Sequence, residues 1–363
     1  MGNYDWIRYW CLREGAMISG RGYLYVLGDY QKDVVTFDQI AHIPCLALLG
    51  EPGIGKSYAI ETETKRLERA FELDTSQQIL HFNLRSYSSD IHLIQDIFEN
   101  ERIKDWLSCS STLHLFLDSL DEGLLRIDTL AALLVDRLKK LPIDRLRLRI
   151  ACRTAEWSPS LEANLKQLWG EGNFKAYELA PLQSKDVWAA AKSEHLDADA
   201  FLSEVASKAA EPLAAKPVTL KLLLNLYRSH NALPATQTEL YERGGLLLCD
   251  EENERRKPKW SLTAQQRLRI AARIAAITIF ANKASIWMAS DTGEQDESDL
   301  MVSEIAGGIE RDADGIDFRV TEGAVLETLH ATGLFTSRGV HRLGWQHQTY
   351  AEFLAAWYLD YLG

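Results

Sequence analysis

The chain has 363 residues, 46% of them hydrophobic and 25% charged, a composition typical of a globular protein long enough for two or three domains. Its net charge of −12 disfavours non-specific binding to nucleic acid, and its five scattered cysteines include no C-x-x-C pair that would indicate a zinc site. No signal peptide is recognisable, and the most apolar helical run is too short and too charged to span a bilayer. We therefore expect a cytoplasmic protein that does not bind a membrane.

The first part of the chain, residues 1–40, is too short for a separate large domain, and we assign it no function. The run Tyr23–Leu27 predicts a strand. Trp6, Tyr9 and Trp10 are expected to pack against the core.

Residues 41–182 alternate between strand-like and helix-like runs, which predicts an α/β core with a parallel sheet and helices on both faces. The first apolar run leads into the sequence GEPGIGKS, which fits the pattern G-x-x-x-x-G-K-[ST] at every fixed position. The backbone N–H groups of such a loop, and the start of the helix after it, converge on phosphate. The sequence therefore predicts a P-loop nucleotide-binding domain over these residues.

Within this motif, Lys56 is expected to reach the β- and γ-phosphates, and Ser57 to offer its hydroxyl to Mg²⁺. The glycines let the backbone approach the phosphates without a Cβ clash. The candidate nucleotide-binding residues are Gly50, Glu51, Pro52, Gly53, Ile54, Gly55, Lys56, Ser57 and Tyr58.

A second group of polar residues follows two later strands. The run LHLFLDSLDE predicts a strand that ends in Asp118, at the sheet edge beside the glycine loop, where a carboxylate would bind Mg²⁺. Asp121 and Glu122 follow, and one of them is expected to orient or deprotonate the attacking water. Arg153 comes after the next strand and is expected to sense the γ-phosphate or to stabilise developing charge. That strand itself contains arginines, which places its start at the sheet rim.

Helical periodicity dominates the rest of the chain. It predicts a small helical domain over residues 183–232, then a helical linker and a winged-helix domain over 233–363. The winged helix is predicted from a helix that ends before Gly333 as its capping glycine, a two-stranded hairpin, and a final helix over 349–361. From the residues alone, a helical bundle with a hairpin is the alternative.

The stretch Asp118-Ser119-Leu120-Asp121-Glu122 resembles the second motif of the NACHT group of signal-transduction NTPases, within the STAND class. The residues around Arg153 resemble the sensor-arginine strand of that group, and those around Leu179 resemble its exit strand. The resemblance covers residues 45–363 and leaves the amino-terminal segment outside it.

Two further roles come from this resemblance alone. Pro217 is similar to a proline that packs near adenine, and His347 to a winged-helix histidine that contacts the β-phosphate. From residue chemistry, a histidine at the start of a helix is more often a structural hydrogen bonder.

The resemblance implies a switch that binds ATP or ADP with Mg²⁺, hydrolyses ATP slowly and forms homo-oligomers on activation, in bacteria often in antiphage defence. An unidentified trigger ligand, an effector and a sensor domain would be its partners. An AAA+-type motor acting on nucleic acid or protein, and a winged-helix transcription regulator, remain as alternatives. The helix at 322–332 contains no lysine or arginine, so nucleic acid is not an expected partner of this module.

Overall fold

The computed structural model describes residues 6–13, 34–87, 89–124, 127, 129–250, 262–288, 296, 298–339 and 341–362. The strand predicted at Tyr23–Leu27 lies outside these residues.

A seven-stranded sheet organises residues 9–179. Its strands are β1 (Tyr9–Leu12), β2 (Val34–Thr36), β3 (Cys45–Leu49), β4 (Gln77–Asn83), β5 (Thr112–Asp118), β6 (Leu146–Cys152) and β7 (Phe174–Leu179). Their order across the sheet is β2-β1-β7-β3-β6-β5-β4. Strands β3 to β7 are parallel, which confirms the predicted α/β core, and β1 and β2 extend the β7 edge in antiparallel orientation. The amino-terminal segment thus contributes to the sheet, and Trp10 is buried in it, as predicted.

Helices cover both faces of this sheet. They are α1 (Phe37–Ile40), α2 (Lys56–Ala70), α3 (Asp90–Phe98), α4 (Glu101–Ser108), α5 (Leu120–Leu124), α6 (Leu130–Leu138) and α7 (Pro159–Trp169). All five residues of β3 are buried, and they alternate between two cores: Leu46 and Leu48 face one, while Cys45, Ala47 and Leu49 face the other. A strand buried on both faces is the expected centre of a parallel sheet.

The arginines of β6 do not lie together at an exposed rim. Arg149 is 1% exposed, and its guanidinium donates to the carbonyl oxygens of Pro44 (3.1 Å) and Ala41 (2.6 Å). Burial lowers the pKa of this guanidinium to about 9. The side chain therefore ties β6 to the segment that precedes β3, which apolar patterning does not predict.

The second half of the chain is mainly helical. Its helices are α8 (Ser184–Ser193), α9 (Ala198–Ser207), α10 (Glu211–Ala214), α11 (Pro217–His230), α12 (Gln237–Cys249), α13 (Ala264–Phe280), α14 (Val302–Ile305), α15 (Glu322–Ala331) and α16 (Gln348–Leu362). Hydroxyl groups of Thr236 and Thr263 cap α12 and α13. One apolar core runs from Leu182 to Ala355 through these helices. Within the described residues, no helix combines the length and the apolarity that a membrane span requires.

Short strands accompany the last helices. They are β8 (Ser285–Trp287), β9 (Asp299–Met301), β10 (Ile309–Arg311), β11 (Asp317–Arg319), β12 (Phe335–Gly339) and β13 (Arg342–Trp345). The predicted helix, hairpin and helix are present as α15, β12–β13 and α16. The hairpin extends beyond two strands, because β8 pairs with β13 and β9 with β8. Assignment of this region to the winged-helix class stays a prediction.

Gly333 is not the helix-capping glycine that the sequence suggested. The cap of α15 is Thr332 in an extended conformation (φ −102°, ψ 152°), and Gly333 is not among the glycines with positive φ. A Cβ atom at Gly333 would lie 3.0 Å from the carbonyl oxygen of Pro52. The glycine is therefore required for a close approach to the loop after β3.

Candidate nucleotide-binding site

The loop Gly50–Gly55, here called the phosphate loop, joins β3 to α2. Gly53 (φ 73°) and Gly55 (φ 88°) adopt left-handed conformations that favour glycine. Gly55 is the N-cap of α2, so no side chain of the cap residue covers the first-turn N–H groups of this 15-residue helix. Unpaired N–H groups at a helix start, together with the helix dipole, favour an anion.

Lys56 supplies a buried positive charge to this loop. Its side chain is 9% exposed, and Nζ donates to the carbonyl oxygen of Gly50 at 3.2 Å. The neighbouring Ser57 is exposed, and Tyr58 is half-buried. A phosphate is a stronger acceptor for an ammonium group than a neutral carbonyl is. We therefore expect Lys56 Nζ to leave the carbonyl oxygen of Gly50 and bind a phosphate when nucleotide is present.

The carboxyl edge of the sheet brings Asp118 to the same side. It ends β5, is 2% exposed, and accepts a 2.8 Å hydrogen bond from the N–H of Ser119, whose φ is 61°. Strand β6 lies between β3 and β5. Asp118 is therefore one strand further from the phosphate loop than the sequence interpretation assumed, and Arg153, at the end of β6, is the nearer of the two.

Asp121 and Arg153 form a pair at this edge. Asp121 is 3% exposed; Oδ1 accepts from the backbone N–H of Arg153 (3.1 Å), and Oδ2 lies 3.2 Å from Arg153 Nε. Glu122 is half-buried in the same helix. Two of the predicted catalytic residues are thus in direct contact at this edge of the sheet.

Two residues of α11 lie against the phosphate loop. A Cβ atom at Gly55 would be 3.2 Å from Cγ of Pro217, and a Cβ atom at Gly53 would be 2.7 Å from Cγ1 of Val218. Pro217 therefore lies against the phosphate loop, and its place near adenine stays a prediction. Val218 carried no sequence signal apart from its position after that proline.

The sequence interpretation missed Arg8. It is 8% exposed, and its guanidinium donates to the carbonyl oxygens of Ile54 (3.0 Å) and Ala180 (2.7 Å). It therefore clamps the phosphate loop to the end of β7. No motif surrounds this arginine, and both partners are distant in sequence, so no local pattern could have identified it.

Glu51 and Lys216 place a carboxyl group and an amino group near each other beside the phosphate loop. Burial raises the pKa of Glu51, whereas Lys216 and the hydroxyl groups of Thr336 and Thr154 lower it. Lys216 is 2% exposed and donates to the carbonyl oxygen of Gly333; burial lowers its pKa to about 8. Lys216 was also missed, because a single lysine before a proline fits no motif.

His347 lies between β13 and α16. Its Nδ1 accepts a 3.2 Å hydrogen bond from the N–H of Thr349, as expected for a structural residue at a helix start. A role at the β-phosphate stays a prediction.

These residues fit a magnesium nucleotide. The phosphate loop offers N–H groups and Lys56, while Ser57 and Asp118 offer the oxygen ligands that Mg²⁺ prefers. In addition, Glu51 Oε1 and Thr154 Oγ1 are buried beside the loop without a hydrogen-bond partner of good geometry among the described residues. Buried polar atoms normally have partners, so the site is complete only with a bound polar group or water.

Comparisons with known proteins give fold-level similarity. No family model matches the sequence, and no curated protein matches it. Among solved structures, a Walker-type ATPase of Pyrococcus abyssi is 15% identical over 87% of this chain and 92% of its own, with a TM-score of 0.39. Cdc6p of Pyrobaculum aerophilum is 12% identical over 90% and 92%, with a TM-score of 0.35. A RuvB variant of Thermotoga maritima is 15% identical over 78% and 86%, with a TM-score of 0.35.

TM-scores this low carry no functional inference. The strand order and the phosphate loop define the class on their own: a mostly parallel sheet whose central strand leads into G-x-x-x-x-G-K-S and a helix is the α/β core of a P-loop NTPase.

Proposed function

We propose that this chain is an ATP- and ADP-binding switch of the NACHT-like STAND type, in which slow hydrolysis resets a nucleotide-dependent oligomerisation, and that it acts in bacterial antiphage defence. The observation that carries the switch is the close approach of Gly333 to the carbonyl oxygen of Pro52. The C-terminal part of the chain thus contacts the phosphate loop itself. The finer family assignment and the biological role are supported by the motif at Asp118–Glu122.

Each proposed role follows from charge and position. Lys56 and the loop N–H groups hold the phosphates, and Ser57 and Asp118 hold Mg²⁺, which would supply charge neutralisation when bound. Asp121 or Glu122 orients or deprotonates the attacking water. Arg153 stabilises negative charge, and its contact with Asp121 at 3.2 Å keeps its guanidinium at the sheet edge.

The contact between Arg153 and α15 supports a switch over a motor. Arg153 Nη1 lies 3.5 Å from the carbonyl oxygen of His330, and Nδ1 of His330 lies 3.3 Å from Glu156. A residue that senses phosphate therefore touches the element that would move. Bound nucleotide can shift the equilibrium between the two conformations only by the difference in its affinity for them.

The test is to identify the nucleotide that co-purifies with the full chain, and then to measure ATP turnover and particle mass. We expect ADP in the purified protein, turnover below about one per minute, and a larger particle with Mg²⁺ and a non-hydrolysable ATP analogue. Lys56→Ala is the matched loss-of-binding variant.

Two results would count against this proposal. Absence of any heat on titration with ATP or ADP would remove the nucleotide site altogether. Rapid turnover stimulated by DNA or by an unfolded protein would favour the AAA+-type motor.

A further inference from the structure

The segment before β1 lies between the phosphate loop and the point where the chain leaves the sheet. Arg8 immediately precedes β1 and is buried. Its Nη1 donates to the carbonyl oxygen of Ile54 at 3.0 Å, and its Nη2 donates to that of Ala180 at 2.7 Å. Ile54 belongs to the phosphate loop, whereas Ala180 follows β7. One side chain therefore bonds to the backbone on both sides of the nucleotide-binding edge.

Backbone hydrogen bonds continue from Ala180 towards α11. Residues 180–182, here called the exit segment, lead from β7 into the helical part of the chain. The N–H of Ala180 donates to the carbonyl oxygen of Tyr9 at 2.8 Å, and the N–H of Leu182 donates to that of Ala215 at 2.7 Å. The exit segment is thus bonded to β1 on one side and to the residues just before α11 on the other.

Arg8 also lies beside the starts of α2 and α11. A Cβ atom at Gly55, the N-cap of α2, would be 3.0 Å from Arg8 Nη1 and 3.2 Å from Pro217 Cγ. A second bond joins the segment before β1 to the helical part, since Trp6 Nε1 donates to the carbonyl oxygen of Asp186 in α8 at 3.0 Å. The amino-terminal segment therefore contacts the phosphate loop and the helices that pack against it.

The chemistry of arginine suits this position. A guanidinium group is planar and donates in several fixed directions, so it holds two acceptors at a set distance from each other. Both acceptors here are backbone carbonyl groups, and a buried carbonyl that loses its donor is costly. Because both bonds join protein groups, they stabilise this conformation of the phosphate loop in the protein without nucleotide.

We propose that Arg8 is a positioning residue that holds the phosphate loop in its nucleotide-binding conformation, in register with α11, and thereby sets nucleotide affinity. This rests on the proposed function as a nucleotide-binding switch, and it gives a role to an amino-terminal segment that carries no motif. If the free protein adopts the binding conformation only part of the time, the apparent dissociation constant rises by the inverse of that fraction. The rate of hydrolysis in the bound state is unaffected, because bound nucleotide then holds the loop.

The experiment measures KM for ATP, kcat and ADP affinity in full-length variants. Arg8→Met keeps an apolar stem and removes both bonds, while Arg8→Lys keeps the charge but not the planar group. Arg13→Met is the matched control, because Arg13 lies just after β1 and pairs with Glu162 (3.4 Å) and Glu178 (3.8 Å). For Arg8→Met we expect KM and the ADP dissociation constant to rise about tenfold, with kcat within about twofold. Arg8→Lys should lie between Arg8→Met and the unmodified protein, and the control should be unchanged.

Hydrogen exchange of the phosphate-loop amides without nucleotide is the second measurement. It should be faster in Arg8→Met and unchanged in Arg13→Met. Unchanged nucleotide affinity in the Arg8 variants would overturn the proposal, and a lower free energy of unfolding alone would then give Arg8 a purely structural role. A fall in kcat at constant KM would also overturn it. If Arg8→Met does not fold, Arg8→Lys decides by the same criteria.

These outcomes separate the inference from the proposed function. If the unmodified protein bound no nucleotide, the proposed function would fail, while the exchange comparison still tested whether Arg8 holds the loop. If the unmodified protein bound ADP and ATP and the Arg8 variants bound them equally well, only the positioning role would fail.

Discussion

At the residue scale, two cations contact the phosphate loop, Lys56 and Arg8, and only the first could be predicted from the sequence. Lys56 was predicted because its spacing from the glycines is fixed by the phosphates that the loop must cradle. Arg8 was not, because its bonds to Ile54 and Ala180 span 46 and 172 residues of sequence. A sequence motif identifies residues whose spacing along the chain is fixed. The contacts of Arg8 form only when distant segments fold together, so no motif identifies them.

Lys56→Ala tests the phosphate role of this lysine. We expect nucleotide affinity to fall about 100-fold, because a charge-assisted contact to phosphate is lost. Calorimetric titration with ADP and ATP is the measurement. Lys65→Ala, on the exposed side of the same helix and paired with Glu61 at 2.6 Å, is the control and should bind normally.

Asp121→Asn tests the predicted catalytic acid. The change keeps an acceptor for the Arg153 N–H but removes the negative charge beside its guanidinium. Single-turnover hydrolysis should fall about 100-fold while nucleotide affinity changes less than about threefold. Asp136→Asn, an exposed partner of Lys140, should change neither. Equal loss of binding and hydrolysis would give Asp121 a structural role.

At the scale of elements, the sequence identified most strands and helices of the core because a buried parallel strand is a continuous apolar run. The order of those strands in the sheet could not be predicted from the sequence. The insertion of β6 between β3 and β5 depends on pairing between segments far apart in the chain, such as Ala47 with Ile150 and Leu115 with Leu148. Likewise, β8 and β9 are three residues long and give no periodic signal, so the hairpin seemed to have two strands.

Gly333→Ala tests the approach of α15 and β12 to the phosphate loop. A methyl group there would be 3.0 Å from a backbone oxygen that cannot rotate away, so we expect a loss of about 1–2 kcal/mol in the free energy of unfolding. Urea denaturation is the measurement. Gly323→Ala in α15 is the control, since its nearest neighbour, Thr321 Oγ1, would be 3.7 Å away. That variant should be unchanged or up to about 1 kcal/mol more stable.

At the scale of the whole molecule, buried charge at the contact between the two parts of the chain makes stability depend on pH. The pKa of Glu178 is raised from 4.5 to about 7, mainly by burial, and that of Glu51 is also raised. Raised carboxyl pKa values mean that the folded protein holds protons more tightly than the unfolded chain does. The contribution of Glu178 is therefore full below about pH 4.5 and is lost as the pH rises through 7, and that of Glu51 also falls as the pH rises.

We accordingly expect the free energy of unfolding to fall between pH 5 and 7.5, with Glu178 contributing at most about 3 kcal/mol. Lys216, with a pKa of about 8, is still mostly protonated over this range and adds little slope. Urea denaturation at several pH values checks this, and Glu178→Gln should flatten the dependence. A slope that survives in Glu178→Gln would place its origin elsewhere.

The antiparallel strand β1 has a mechanical consequence. It is joined edge-on to β7, with Trp10 opposite Leu179, and Arg8 lies one residue before it. A pull on the chain upstream of Trp6 would first load the bond from Trp6 Nε1 to the carbonyl oxygen of Asp186, and then the guanidinium bonds of Arg8 to Ile54 and Ala180 and the ladder between β1 and β7. Tension applied at the amino terminus would thus be transmitted through Arg8 to the phosphate loop.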